Sequence, residues 1–321
     1  MKKVLLIPLI CFILIFVGCG KPSKGKGINQ TPIGFNGLVV SYVDVGEGDC
    51  IFMEFPDGKF GMIDCGEKNV VNQKTIDQWL AKTKGVGLDF MLITHPDSDH
   101  MGNADYVIKN YKVNNLYVPY IMDKLPYDNY HDLVKSAKQQ SVKVYYTDYT
   151  TCIQGEDYRL LCLLPKPVEF MDSAYHKFNY LNSEYQLNPN MLCPIIYLES
   201  FGKRFLFSGD APISTENELV SNYYSGIYDY KYPQKVVLEN IDFFKVPHHG
   251  ANDGCSDKLV DLIKPIHSII SVGAGNSYGH PSTMTIFKLT NKDSKVYRTD
   301  VHGAVSVFVS EDGKYNIKTQ K

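Results

Sequence analysis

The densest chemistry of the chain lies in "LITHPDSDHMGN", residues 92–103, where His95, Asp97, Asp99 and His100 stand almost shoulder to shoulder. In a loop leaving a strand, side chains at these spacings converge on a small volume. Imidazole nitrogen combined with carboxylate oxygen, without thiolate, suits Zn2+ or Mn2+ better than an oxygen-preferring ion such as Ca2+. Taken singly, each residue would serve as a helix cap or a surface polar group. Two further clusters change that reading. "FSGDA" (207–211) contains Asp210, and "KVPHHG" (245–250) contains His248 and His249. All three clusters follow apolar, strand-like runs. Sites in layered α/β folds assemble from loops at strand ends, so the three pieces read as one catalytic centre holding one or two divalent metal ions. Two ions about 3.5–4 Å apart would let a water lose its proton and a leaving oxygen be stabilised.

The elements that must position these loops follow from periodicity. "GLVVSYVDVGEGDCIFMEF" reads as strand, polar turn, strand, and "KFGMIDCG" returns after the turn "PDG". Ile76, Trp79 and Leu80 share one face of an amphipathic helix that Gly85 stops. "DFMLIT", "NNLYVPY" and "VKVYYT" are strands separated by helices in "NADYVIKNY" and "HDLVKSAKQQ". "CPIIYLESFGKRFLFSGD" reads as a hairpin ending at Asp210. "STENELVSNYY" is helical, with Thr215 and Glu218 at capping-box spacing. Strands "IDFFK" and "HSIIS" alternate with the helix "SDKLVDLIKP", and helix, strand, strand finish the chain. Residues 166–189 are rich in Tyr and Asn and read as a long loop. No internal repeat is visible.

The chain has 321 residues with 33 Lys and Arg against 35 Asp and Glu, so no global basic field exists and any nucleic-acid contact must be local. At the N-terminus, "MKK" and "VLLIPLICFILIFV" form a charged region and an apolar region, followed by Gly18 and Cys19. This resembles a bacterial lipoprotein signal over residues 1–18, with lipid attached to Cys19. An ordinary cleaved signal and an uncleaved anchor are the alternatives, and all three place the body outside the cytoplasm. Residues 19–34, rich in Gly, Lys and Ser, read as a flexible tether, and 35–317 as the folded domain that carries the three clusters.

"THPDSDHMGN" resembles the His-x-His-x-Asp-His motif of the metallo-β-lactamase superfamily, with Asp97 where most members carry the second His. That substitution is typical of the hydrolase domain of ComEC-type competence proteins. "VDVGEGD" (43–49), "GMIDCG" (61–66), "FSGDA", "KVPHHG", "SVGAGNSYGHPS" (271–282) and "YRTDVHGAV" (297–305) also match that subgroup. The resemblance implies an α/β fold, the αββα four-layer sandwich, and a nuclease-like hydrolase. It implies that His95 and Asp97 serve one metal, Asp99 and His100 the other, and that Asp210 bridges. One of His248 and His249 completes the second site, with His249, next to Gly250, preferred. Asp64 supports the metal loop, unless it is a simple strand-end turn residue.

His280 is a candidate to contact a substrate phosphate or protonate the leaving oxygen, and Asp99 is the other candidate catalytic residue. Lys245, Ser277 and Arg298 are candidates to neutralise phosphate or to be structural. The superfamily's usual third His has no counterpart just before "CPIIYLES": His131 and His176 lie elsewhere, and Asn190 stands near the place.

The resulting expectation is an extracytoplasmic hydrolase of a phosphodiester, acting on nucleic acid, with the membrane reached through the lipid anchor. A hydrolase of another ester or amide, and a lipoprotein that captures DNA without cutting it, are the alternatives. A final expectation concerns register. If Asp57 and Gly58 centre the first hairpin turn, paired residues sum to 115 and Cys50 faces Cys65, as a disulfide or as two buried thiols.

Overall fold

The computed structural model describes residues 29–121, 125–165 and 188–321. The signal region, Cys19, His176 and most of the Tyr-rich loop lie outside these residues. Two mixed sheets pack face to face, each covered on its outer face by helices.

The first sheet runs in the order β15-β14-β1-β2-β3-β4-β5-β6. Its strands are β1 (Gly37–Tyr42), β2 (Ile51–Glu54), β3 (Phe60–Ile63), β4 (Leu88–Leu92), β5 (Val113–Val118), β6 (Lys143–Tyr146), β14 (Val305–Ser310) and β15 (Tyr315–Thr319). Pairing is antiparallel from β15 to β3 and parallel from β3 to β6. Helices α1 (Val70–Leu80), α2 (Ser98–Met101), α3 (Ala104–Asn110) and α4 (Asp128–Gln139) connect its parallel strands.

The second sheet runs in the order β13-β12-β11-β10-β9-β8-β7. It contains β7 (Cys152–Gln154), β8 (Tyr158–Cys162), β9 (Ile196–Ser200), β10 (Lys203–Phe207), β11 (Phe243–Lys245), β12 (His267–Ile270) and β13 (Lys295–Arg298). Here too an antiparallel stretch, β7 to β10, passes into a parallel one, β10 to β13. Helices α5 (Ile213–Tyr224), α6 (Ile227–Lys231), α7 (Asp257–Ile263), α8 (Thr283–Thr290) and α9 (Thr299–His302) complete this half.

Three apolar clusters hold the layers. Val40, Ile63, Leu92, Phe205, Phe243 and Val307 belong to the one between the sheets. Trp79, Val107 and Leu133 pack helices on the first sheet, and Leu219, Leu259 and Leu289 pack helices on the second. The fold is therefore an αββα sandwich. Central parallel strands covered on both faces read as continuous apolar runs, which is why "MLI" and "FF" carry no alternation.

Three expectations need correction. The hairpin after β2 pairs Phe52 with Met62 and Met53 with Gly61, one residue off the predicted register. Pro56, Asp57 and Gly58 form a three-residue turn closed by Phe55 and Lys59, with Gly58 at φ 80°. Cys50 and Cys65 are both buried free thiols. Second, no Thr215–Glu218 capping box forms: α5 starts earlier, at Ile213, with Pro212 as its N-cap. Buried Glu216 instead accepts the N–H groups of Cys255 at 2.7 Å and Ser256 at 2.6 Å. Third, the tether is shorter than residues 19–34. Asn29 donates to Ala304 O, Ser306 Oγ and Lys318 O, each at 3.2 Å, and Thr31 donates to Glu54, so this stretch already belongs to the body.

Candidate metal centre

Parallel strands of both sheets end on the same side of the interface between the layers. β3 delivers Asp64 and β4 delivers His95 to His100. β10 delivers Asp210, β11 delivers His248 and His249, and the loop after β12 carries His280. The structure brings Asp99, His100, Asp210 and His249 together, one ligand atom from each lying within 4.8 Å of the others. Asp210 stands at the centre. Its carboxylate lies 3.2 Å from His100 Nε2, 3.4 Å from His249 Nε2 and 4.0 Å from His95 Nε2. Asp97, 42% exposed in its side chain, lies 3.5 Å from His95 Nε2.

Each inner imidazole is held from behind. His100 Nδ1 donates to Asp64 at 2.9 Å, and His249 Nδ1 donates to the carbonyl of Ser271 at 2.9 Å. His95 Nδ1 donates to Thr94 Oγ1 at 3.1 Å, while Thr94 Oγ1 donates to Asp64 at 2.7 Å. In the neutral rings these bonds fix the proton on Nδ1 and turn the Nε2 lone pairs toward Asp99 and Asp210. Nε2 of His95 and His100 and one oxygen of Asp210 are buried without a hydrogen-bond partner. Orphaned buried acceptors converging on one point fit a divalent cation.

Electrostatics agree. Burial pushes the Asp99 and Asp210 carboxyls up, but hydrogen bonds and charge from His100 and His249 outweigh it and hold both below the usual carboxylate range. Burial pushes His249 down, yet Asp210 and Asp99 raise it to about 10; Asp210 and Asp64 likewise raise His100. Positive charge is favoured at the Nε2 atoms, where a proton stands in the place of a metal.

The backbone is strained at this centre. Asp64, His248 and His249 have φ of 54°, 47° and 50°, a left-handed conformation that costs of order 1–3 kcal/mol per residue outside glycine. Gly48 has φ of 123°, and a Cβ there would meet the Asp99 carbonyl oxygen at 2.2 Å. Glycine thus lets the loop after β1 lie directly on the metal loop, and Asp49 N–H reaches that carbonyl at 3.2 Å.

Other candidates fall outside the cluster. His248, 25% exposed, hydrogen-bonds Asp253 at 2.6 Å and stands 3.8 Å from Asp210. His280 Nδ1 donates to Glu47 at 2.9 Å, which leaves Nε2 as the nitrogen available to a substrate. Asn190 has a buried Oδ1 without a partner, in the turn before β9. Ser277 is exposed on the loop after β12. Lys245 is not placed to meet phosphate: it is fully buried and pairs with Asp49 at 2.6 Å behind the candidate metal ligands. Arg298 is engaged by Asp300 through two bonds of 3.0 and 2.6 Å.

Asp49 and Glu47 were missed as individual residues, although "VDVGEGD" marked their segment. The Ser271 carbonyl carries no side-chain signal at all. Beside Asp97 opens a cavity of about 760 Å3 whose lining includes Lys68, Lys109 and Lys135.

Known proteins resemble this chain in sequence and in fold. Residues 43–158 match the family model of the metallo-beta-lactamase superfamily. The chain is 26% identical over 284 residues to ComE operon protein 3 of Bacillus subtilis, covering 83% of this chain and 32% of that protein. It is 24% identical over 310 residues to Recombination protein 2 of Haemophilus influenzae, covering 95% of this chain and 32% of that protein. The chain thus spans about a third of the length of these relatives. Among solved structures, CmlA, a diiron β-hydroxylase from Streptomyces venezuelae, superposes with a TM-score of 0.51 at 14% identity, over 88% of this chain and 55% of that one; this likeness speaks to the fold alone. Residues 43–158 carry the match to the metallo-β-lactamase superfamily, and the layer order and loop sequence are similar to that family's.

Proposed function

We propose that the chain is an extracytoplasmic metal-dependent phosphodiesterase acting on nucleic acid, held at the membrane by lipid on Cys19. The observation that carries the hydrolase reading is the set of partnerless Nε2 and carboxylate atoms converging on Asp210. The name of one relative, Recombination protein 2, supports nucleic acid as the substrate class. The lipid anchor rests on the "FVGC" sequence, and among the described residues no helix is long and apolar enough to cross a membrane.

His100, His249, Asp99 and Asp210 would hold a divalent ion, and His95 with Asp97 would hold or support a second. Zn2+ or Mn2+ bound there would supply Lewis acidity and an acidified water. The chain's own residues do the rest. Asp64 and the Ser271 carbonyl keep the imidazoles in the ligating tautomer. Glu47 holds His280 through Nδ1, so that the ring in its doubly protonated, imidazolium form would have Nε2–H free to give a proton to the departing oxygen.

The test is hydrolysis of bis(p-nitrophenyl) phosphate, plasmid DNA, single-stranded DNA and nitrocefin with Mn2+ or Zn2+, and with EDTA as control. Cleavage of a phosphodiester is expected, suppressed by EDTA. Turnover of nitrocefin with no phosphodiester cleaved would overturn the substrate class. Binding of DNA with no cleavage under either metal would support a capture protein instead.

A further inference from the structure

We propose that Tyr278 is a stacking platform for the nucleobase adjoining the scissile phosphate, so that the site selects unpaired, base-bearing nucleic acid. The substrate class rests on the phosphodiesterase reading above.

Tyr278 is 72% exposed, although a tyrosine ring ordinarily brings a large apolar area to a protein core. Its position is nonetheless firm. Asn276 Oδ1 accepts the N–H groups of Tyr278 at 3.2 Å and His280 at 3.0 Å. Asn276 Nδ2 donates to the carbonyls of Gly273 at 3.0 Å and His280 at 2.7 Å. Glu47 clamps the loop from outside, accepting the Gly273 N–H at 2.8 Å as well as binding His280. A loop tied at this many points holds the backbone that carries the ring, so little backbone entropy is lost when a ligand lands on it.

The ring also points the right way for the chemistry. Tyr278 lies nearly parallel to His280, at 20° with centroids 5.6 Å apart. His280 in turn lies 6.1 Å from His249 and 5.6 Å from His248. A file of rings therefore leads from a candidate metal ligand, through the candidate proton donor, to an open aromatic face. A group resting on that face must be flat, and it must be joined to an anionic ester within reach of His280. An unstacked base on a nucleotide meets both demands, because every base has a π-face. A paired base, already stacked in a duplex, has none to spare. An alkyl phosphodiester or a lipid headgroup offers no ring.

The experiment measures fluorescence anisotropy of EDTA-treated full-length protein at low salt. One probe is a labelled single-stranded oligodeoxynucleotide, and the other is an oligomer of equal length carrying abasic tetrahydrofuran residues. Wild type is expected to bind the base-bearing oligomer roughly tenfold or more tightly than the abasic one. Tyr278→Ala and Tyr278→Leu should remove that preference and leave abasic binding unchanged, while Tyr278→Phe should retain it. The same preference in wild type and both non-aromatic variants, or no preference in wild type, including no binding of either oligomer, overturns the platform.

Cleavage by the metal-loaded protein, measured in parallel, separates the two claims. Wild type that shows the preference but cuts no DNA refutes the phosphodiesterase and leaves the platform. Wild type that cuts DNA without the preference does the reverse.

Discussion

The two halves of the sandwich are built alike and equip the site differently. Each half starts as an antiparallel meander and turns parallel at the strand that delivers its first site residue, β3 for Asp64 and β10 for Asp210. The first half then concentrates His95, Asp97, Asp99 and His100 in one loop after β4. The second spreads Asp210, His249 and His280 over three strand ends. The first orients its inner histidine His100 with a carboxylate side chain, and the second orients His249 with a main-chain carbonyl. A site made by a single loop needs local support. A site gathered from several strand ends needs the sheet itself to be correct, with buried ties such as Glu216 across the connections.

Asp210 is where the comparison breaks most easily, because its carboxylate lies within 4.0 Å of His95 and His100 from the first half and of His248 and His249 from the second. Asp210→Asn should abolish divalent-metal binding, read by metal analysis of the purified protein, and reduce hydrolysis to the level seen in EDTA. Full activity in this variant would mean that the halves hold ions independently.

Next in size is Lys245→Met. It strands the Asp49 carboxylate in the interior, which costs about 3–5 kcal/mol when one partner of a buried pair is removed. Urea unfolding should show that loss, and Asp49→Asn added to it should recover much of the stability. A loss below about 1 kcal/mol would show water reaching the pair.

The smallest expected effect sharpens the contrast in how the histidines are held. Asp64→Asn should weaken metal affinity roughly 10- to 100-fold, as for other carboxylates behind a ligating histidine. Ser271→Ala, which keeps the carbonyl, should leave affinity unchanged. Equal losses in both variants, measured by competition with a chromogenic chelator, would erase the distinction.

This asymmetry also explains what the sequence made legible. A contiguous string such as "HPDSDH" declares itself, because no apolar strand needs that ending. Strand and helix alternation was readable from periodicity, and with it the layered architecture. The likeness of the two halves leaves no sequence repeat, because main-chain hydrogen bonding defines it while the side chains differ. From sequence Lys245 is equally a phosphate contact or a structural cation, and only its distant partner Asp49 decides for the second. The register after β2 depended on whether the turn spans two residues or three, a choice of backbone geometry at Gly58 that residue pattern does not encode.

One detail of the first sheet reaches beyond the site. β1 lies between β2 and β14, so the first strand made is flanked by one of the last. During synthesis from the N-terminus, β1 keeps an open hydrogen-bonding edge until Val305–Ser310 has emerged. Such an edge invites pairing with other chains. A product that stops short of β14 would thus be aggregation-prone as well as incomplete. The ligand loops, by contrast, are all synthesised before that closure. A chain stalled between His280 and Val305 would thus carry every candidate ligand loop on a sheet that is not yet closed.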